Sequence, residues 1–376
     1  MAKSNLIIKP NFNIIHPHRE LNIIASPGLH LSWEVKDPHT GRIEQKGDQV
    51  GRSFLKQFLQ QLYMCMSGVT QTFKDIGGTN RAGSWNYGEY NFLYYNFLIG
   101  SSNQAVSWTD YNLITPIANG SGEGKMAYGS ITHTAAAYDD TRVWNRETRS
   151  FTNNSGASIT INEIGYQTYI PISGYYMLIM RDLTDGIVVP ATKVITFNYD
   201  FESQKDTERG WTFLKAFFTR LYIHIATSGT GYTDIYKSFR VGAPPAGTYV
   251  STYNKSSNIQ DLGNIAGIEL GTSTDAVGVE QTEVGSKIAN GEGSGQLKYL
   301  GCGVDNFSIG ASSGQFDIFR QFQNKSGDSI SVNQVGLRCL YGNYSQAFIY
   351  CEKLSEPFVI PNNSYAEVRL TMKVAV

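Results

Sequence analysis

Two glycine-rich stretches are the first residues in this sequence whose types and spacing could serve chemistry. Residues 117–128 read IANGSGEGKMAY, and residues 288–299 read IANGEGSGQLKY. A phosphate-binding loop places such glycines between a strand and a helix N-terminus, often with a lysine followed by Ser or Thr. Here Lys125 precedes Met126, a strand pattern follows, and Gln296 replaces the lysine in the second stretch. We therefore interpret both stretches as turns without a ligand.

The remaining reactive residue types form no recognisable motif. His16-Pro-His18 is the one closely spaced histidine pair, and no cysteine or carboxylate stands near it in a ligand pattern. The elements G-x-S-x-G, H-E-x-x-H and DxDxDG do not occur. A pair of carboxylates for hydrolysis stays open, because such pairs meet only in three dimensions. We predict no enzyme activity, no catalytic residue, no cofactor and no metal.

Cysteine usage and charge limit the classes of partner. Cys65, Cys302, Cys339 and Cys351 have no CxxC spacing, and we interpret them as free thiols of a protein made in a reducing cytoplasm, although Cys339 and Cys351 could face each other on neighbouring strands. The net charge is −1, from 31 Lys and Arg against 32 Asp and Glu. A nucleic-acid or anionic-membrane binder needs a basic excess. We therefore expect neither partner.

We expect neither a secretory signal nor a membrane-spanning segment. The N-terminal residues lack the apolar core and cleavage site of a secretory signal, and no window approaches eighteen apolar residues. Charged residues make up only 17%, whereas Gly (38) and Tyr (23) are abundant. A surface poor in charge and rich in Tyr suits packing against other proteins.

An internal duplication organises the sequence. Residues 99–128 align without a gap to 270–299, and RSFTNNSGASITINEIG (149–165) aligns at the same offset of 171 to RQFQNKSGDSISVNQVG (320–336). An upstream block pairs residues 51–66 with 210–225 at an offset of 159, so the second copy carries an insertion of twelve residues within about 228–268. Acidic residues change between the copies at this offset, as in Glu163 against Gln334 and Asp182 against Lys353.

Each repeat contains one amphipathic helix and many short strands. Apolar residues at helical spacing predict the first helix at Phe54, Leu55, Phe58, Leu59, Leu62, Tyr63 and Met66, and the second at Phe213, Leu214, Phe217, Phe218, Leu221, Tyr222 and Ile225. Period-two alternation, as in SITINEIG, predicts strands for most of the rest. Turn glycines are predicted at Gly120, Gly122, Gly156, Gly291, Gly293 and Gly327. The fold class is mainly β, with two tandem antiparallel β-sandwiches of jelly-roll type.

We divide the chain into an N-terminal arm (1–30), a first sandwich (31–199) and a second sandwich (200–376). Apolar residues of the arm have no counterpart in the second repeat, and we expect them to dock on a neighbouring subunit or back on the chain itself: Ile7, Ile8, Phe12, Ile14 and Ile15. The aromatic stretch WNYGEYNFLYYNFL (85–98) is compatible with a buried strand and with stacking on sugars.

Two blocks carry a resemblance to a known class of protein. NNSGASITINEIG followed by YYMLIMRDL, and NKSGDSISVNQVG followed by AFIYCEKL, resemble a strand pair of bacteriophage virion structural proteins, although CEKL departs from the RDL ending. The resemblance implies a non-enzymatic head-decoration, collar or tail-associated component in the virion, a homo-oligomer that also contacts other virion proteins. Alternatives are a double jelly-roll major capsid protein and, from another class, a β-sandwich module that binds glycans or a host receptor.

Overall fold

The computed structural model describes residues 18–25, 28–51, 53–83, 96–170, 174–218, 266–341 and 345–375. Three sequence predictions lie wholly or mostly outside these residues: the apolar arm residues Ile7, Ile8, Phe12, Ile14 and Ile15, the aromatic stretch 85–98, and the insertion. The described chain is mainly β and contains several antiparallel sheets.

The strands of the first repeat form two sheets. Their bounds are β2 (Gly28–Lys36), β3 (Ile43–Gly51), β6 (Asn96–Gly100), β7 (Ala127–Tyr138), β8 (Arg142–Thr152), β9 (Ile159–Tyr169), β10 (Tyr176–Val189) and β11 (Val194–Gln204), with a separate hairpin of β4 (Gln71–Lys74) and β5 (Asn80–Gly83). The five-stranded sheet has the order β3-β2-β11-β8-β7, and the three-stranded sheet has the order β10-β9-β6. Phe97 of β6 contacts Phe151 and Phe197 of the larger sheet, so the two sheets pack face to face.

The second repeat places its strands in the same order. These are β12 (Gly267–Gly271), β13 (Lys298–Ile309), β14 (Ser313–Asn324), β15 (Ile330–Tyr341), β16 (Ser345–Ile360) and β17 (Ser364–Ala375). The sheets β12-β15-β16 and β17-β14-β13 correspond strand for strand to β6-β9-β10 and β11-β8-β7. Alternation along the strands is confirmed, since Ile159 and Ile161 are buried while Thr160 between them is exposed.

One strand from the N-terminal region completes the second repeat. β1 (His18–Ala25) pairs in parallel with β17, from His18 opposite Tyr365 to Ala25 opposite Met372. In the first repeat the equivalent place beside β11 is taken by β2, in antiparallel pairing. Since β2 begins at Gly28, the last residues of the range 1–30 belong to the first repeat's sheet.

The helix α1 (Lys56–Ser67), the one helix whose start and end are both described, packs against both repeats. It begins on its own repeat, where the backbone N–H of Leu55 donates to Ile179 O at 2.8 Å. Its second half reaches the other repeat, where Tyr63 stacks on Phe307 with ring centroids 4.2 Å apart. A Cβ added to Gly314 would lie 2.6 Å from the Leu59 side chain and 2.9 Å from the backbone oxygen of Ser308, so a glycine suits this close approach.

The predicted helical stripe of α1 is confirmed as core. Phe54, Leu55, Phe58, Leu59, Leu62 and Met66 are buried, and Tyr63 packs against the core. The second helix begins at residues 215–218, and only its first turn is described. Its entry repeats that of α1, because the N–H of Leu214 donates to Ile349 O at 3.1 Å. Lys215 lies over the ring of Tyr138, at the end of β7 in the first repeat.

Candidate functional site

The two glycine-rich loops have the same backbone hydrogen bonds. The N–H of Gly120 donates to Met126 O at 3.0 Å, and the N–H of Gly291 donates to Leu297 O at the same distance. In each copy a strand, β7 or β13, follows at the place where a phosphate-binding loop would have a helix N-terminus. The loops therefore lack the backbone arrangement that binds phosphate.

The predicted turn glycines differ in backbone conformation. Positive φ angles occur at Gly120 (150°), Gly156 (82°) and Gly327 (97°), but not at Gly122, Gly291 or Gly293. In the glycine-rich loops the left-handed residues are instead Gly124 (69°) and Gly295 (71°). The turn glycines predicted from the sequence did not include Gly124 or Gly295.

Other residues shared by the repeats hold the backbone. The amide of Asn153 donates to Ala157 O and Val189 O at 2.7 and 2.8 Å, and Asn324 makes the equivalent two bonds at 2.8 Å. The Tyr128 hydroxyl donates to Ile117 O, and the Tyr299 hydroxyl donates to Ile288 O. Each of these side chains satisfies buried backbone groups in a connection between strands.

The positions that differ between repeats include a buried ion triad. Arg181 and Glu163 are both 0% exposed and pair at 2.8 Å, and Arg181 also binds Asp110 at 2.8 Å. The Glu163 carboxylate accepts the backbone N–H groups of Ile114 and Thr115. The triad therefore fastens the connection between β6 and β7 onto β9 and β10.

The second repeat contains a neutral version of this triad. Gln334, Cys351 and Gln281 contact one another in place of Glu163, Arg181 and Asp110. The Gln334 side chain accepts the N–H of Gly285 at 2.7 Å, as Glu163 accepts that of Ile114. The two repeats thus build the same support with and without charge.

The strand register changes one pair of equivalent residues that the offset of 171 between the repeats had suggested. Asp182 lies opposite Ile164 in β9, and Glu352 lies opposite Val335, the counterpart of Ile164. The equivalent of Asp182 is therefore Glu352, and the predicted pairing with Lys353 was wrong. Irregularities in β9–β10 and β15–β16 pairing shift the alignment by one residue in this part of the strands.

An interior polar cluster is the strongest candidate site in the described residues. We define it as His133 of β7, Asn145 and Glu147 of β8, and Tyr166 and Thr168 of β9. His133 and Glu147 are opposite each other in the β7–β8 ladder, and Nδ1 of His133 forms an ion-pair contact with the Glu147 carboxylate. Tyr166 faces the same space from the opposing sheet and contacts Phe201 of β11.

Burial governs the chemistry of this cluster. Desolvation raises the pKa of Glu147 to about 7, although His133 and Tyr166 act in the opposite direction. The amide of Asn145 and the hydroxyl of Thr168 have no hydrogen-bond partner in the described part of the chain. Their polar atoms also have essentially no accessible surface, so a water molecule cannot reach them. Of the five residues, His133 is the one whose side chain is partly exposed, at 20%.

The second repeat fills the same places with apolar side chains. Val304, Phe316, Ile318, Leu337 and Cys339 stand at the positions of His133, Asn145, Glu147, Tyr166 and Thr168. Sequence reasoning missed the cluster, although the aligned repeats contain its signal: inward-facing strand positions are polar in one copy and apolar in the other.

A second group lies on the outer face of the first repeat's larger sheet. Potential metal-ligand atoms of His30, Asp200 and Glu202 lie within 4.8 Å of one another. However, Arg142 binds both carboxylates, at 3.0 and 2.6 Å, and Arg146 binds Asp200 at 2.6 Å. These guanidinium groups already neutralise the acids, so the arrangement is that of an ion network. It was not among the sequence predictions.

The described cysteines are free thiols. Cys302, Cys339 and Cys351 form no disulfide. Cys339 lies opposite Ala347 and Cys351 opposite Gly336, so the two do not face each other. Burial raises the pKa of both thiols, which makes them poor nucleophiles.

Comparisons with known proteins add no family to this description. No protein-family model, no curated protein and no solved structure matches the chain. Within the described residues, the helices are all too short or too polar to cross a membrane.

Proposed function

We propose that this protein is a non-enzymatic structural subunit of a virion, a head-decoration, collar or tail-associated component that assembles through contacts between copies. The two repeats would be tandem sandwiches of jelly-roll type. The resemblance of the strand blocks to bacteriophage structural proteins motivates the virion role.

The pairing of β1 with β17 is the observation that carries this proposal. A segment from outside both repeats adds a strand to the sheet of the second repeat. Strand addition at a sheet edge is a common way for extended segments to join proteins, because main-chain hydrogen bonds supply the contact. The fixed connection of the repeats through α1 also suits a subunit that offers two similar surfaces to its neighbours.

Light scattering coupled to size-exclusion chromatography tests the proposal. We expect the full chain to form rings or larger multimers that electron microscopy can image. A chain lacking residues 1–25 should show at least a tenfold smaller fraction of ordered rings or multimers in electron micrographs at equal concentration. A full chain that stays monomeric and inert at all concentrations would contradict a structural role. Binding to a glycan array by such a monomer would favour the glycan- or receptor-binding alternative.

A further inference from the structure

The edge of β17 is a place where the second repeat depends on a strand that it does not contain. In the first repeat the neighbour of β11 is β2, which continues through β3 into a five-stranded sheet. On this side of the sheet, β17 is the last described strand of the second repeat itself. Among the described strands, β1 is the only one that pairs with its outer edge. Without β1, the N–H and C=O groups of β17 would form an open edge beside an apolar face.

The connection between β1 and β2 is very short. Only Ser26 and Pro27 join Ala25, the end of β1, to Gly28, the start of β2. Short hinges favour exchange of an element between copies, because a slight change at the hinge redirects the whole segment.

Exchange would cost little in contacts. β1 is an edge strand with one described ladder, to β17, and the pairing from His18 to Ala25 can form with the β17 of another molecule. Since the contacts within and between molecules are the same, only the entropy of association opposes exchange. This cost falls as the local concentration of subunits rises, as it does in an assembly.

We propose that β1 of one copy pairs with β17 of a second copy of this chain, so that each subunit completes the second repeat of a neighbour. This inference rests on the proposed function, because it names the contact by which the copies assemble.

Disulfide trapping with two different chains tests the exchange. His18→Cys is placed in one chain and Tyr365→Cys in another, and the two are produced together and oxidised mildly. His18 and Tyr365 are opposite each other in the parallel register, so a disulfide between these chains forms only if β1 crosses between molecules. Mass spectrometry of the linked peptides separates this disulfide from any that involves a native cysteine.

A matched control uses the far edge of the same sheet. Gly301 lies on β13, is exposed, and has open space where a Cβ would stand, so Gly301→Cys replaces Tyr365→Cys in the control pair. We expect at least tenfold more mixed disulfide with Tyr365→Cys than with Gly301→Cys. Circular dichroism and elution volume show whether each variant retains its fold.

A single chain carrying both His18→Cys and Tyr365→Cys gives the opposing outcome. The exchange is overturned if the disulfide forms only within one molecule and the two-chain experiment gives no mixed disulfide. It is also overturned if no disulfide forms in either experiment, because His18 and Tyr365 would then not lie opposite each other. Multimers that persist with closure only within one molecule would refute the exchange and leave the proposed function standing. Inserting four Gly and Ser residues after Pro27 should shift the yield severalfold toward closure within one molecule.

Discussion

At the scale of single residues, comparing the two repeats distinguishes side chains that hold the backbone in both copies from side chains that differ between them. Asn153 and Asn324 make the same pair of bonds to backbone carbonyls, so the duplication has retained their geometry. The interior polar cluster behaves differently, because Glu147 is replaced by Ile318 at the same register position. A buried carboxyl of this kind lowers the stability of the fold whenever it is charged.

The raised pKa of Glu147 predicts a stability that depends on pH. Its folded value of about 7 lies above the ordinary 4.5, so the folded state holds the proton more tightly. The contribution of Glu147 to the free energy of unfolding is therefore fully present below about pH 4.5. It decreases by about 3 kcal/mol as the pH rises to 7. Glu147→Gln should remove most of this fall, as measured by urea unfolding between pH 5 and pH 8.

The control for this experiment is Glu356→Gln, which changes an exposed glutamate on β16. It should retain the pH dependence of the original chain. Equal pH dependence in the Glu147→Gln variant and the original chain would contradict the role given to the buried carboxyl.

At the scale of elements, the ion triad and its neutral counterpart show two ways of fixing one connection. The segment between β6 and β7 passes over β9 and β10, and Glu163 holds its backbone while Arg181 neutralises the acid. A buried ion pair is expensive to break, because the remaining charge loses its partner. The neutral set in the second repeat avoids that risk and keeps the hydrogen bonds to the backbone.

Exchange of the triad between repeats gives a specific prediction. Arg181→Cys alone should destabilise the protein by about 3–5 kcal/mol, since it leaves Glu163 and Asp110 without their cation. Adding Glu163→Gln and Asp110→Gln, the residues of the second repeat, should recover at least half of that loss in urea unfolding. A triple variant no more stable than Arg181→Cys would show that the two triads are not equivalent.

At the scale of the whole molecule, the helices make the two repeats into one unit. α1 begins beside β10 and places Tyr63 on Phe307 of β13, whereas the second helix begins with Lys215 over Tyr138 of β7. The described contacts thus run in both directions between the repeats. A chain joined in this way should unfold as a single cooperative unit.

Tyr63→Ala tests this coupling. Loss of the Tyr63 ring from the contact between the repeats should lower the free energy of unfolding by about 2–3 kcal/mol. It should also separate calorimetric unfolding into two transitions. Lys56→Ala, at the start of the same helix, serves as the control and should leave one transition. A single transition of unchanged width in Tyr63→Ala would show that the repeats are coupled elsewhere.

The sequence by itself determined the local structure and the duplication. Period-two alternation placed strands such as β9 and β15, and helical spacing identified the buried stripe of α1, because burial on one face leaves a periodic trace in the chain. The matched blocks located equivalent residues such as Asn153 and Asn324, since side chains that bind nearby backbone are specified locally.

Only the tertiary structure decided which distant residues meet. The pairing of β1 with β17, the reach of α1 into the other repeat, and the gathering of His133, Glu147 and Tyr166 from three strands depend on contacts far apart in sequence. Periodicity records which face of an element is buried, but it carries no information about the partner that covers that face. The one-residue shift that pairs Asp182 with Glu352 arises for the same reason, because bulges are set by cross-strand packing.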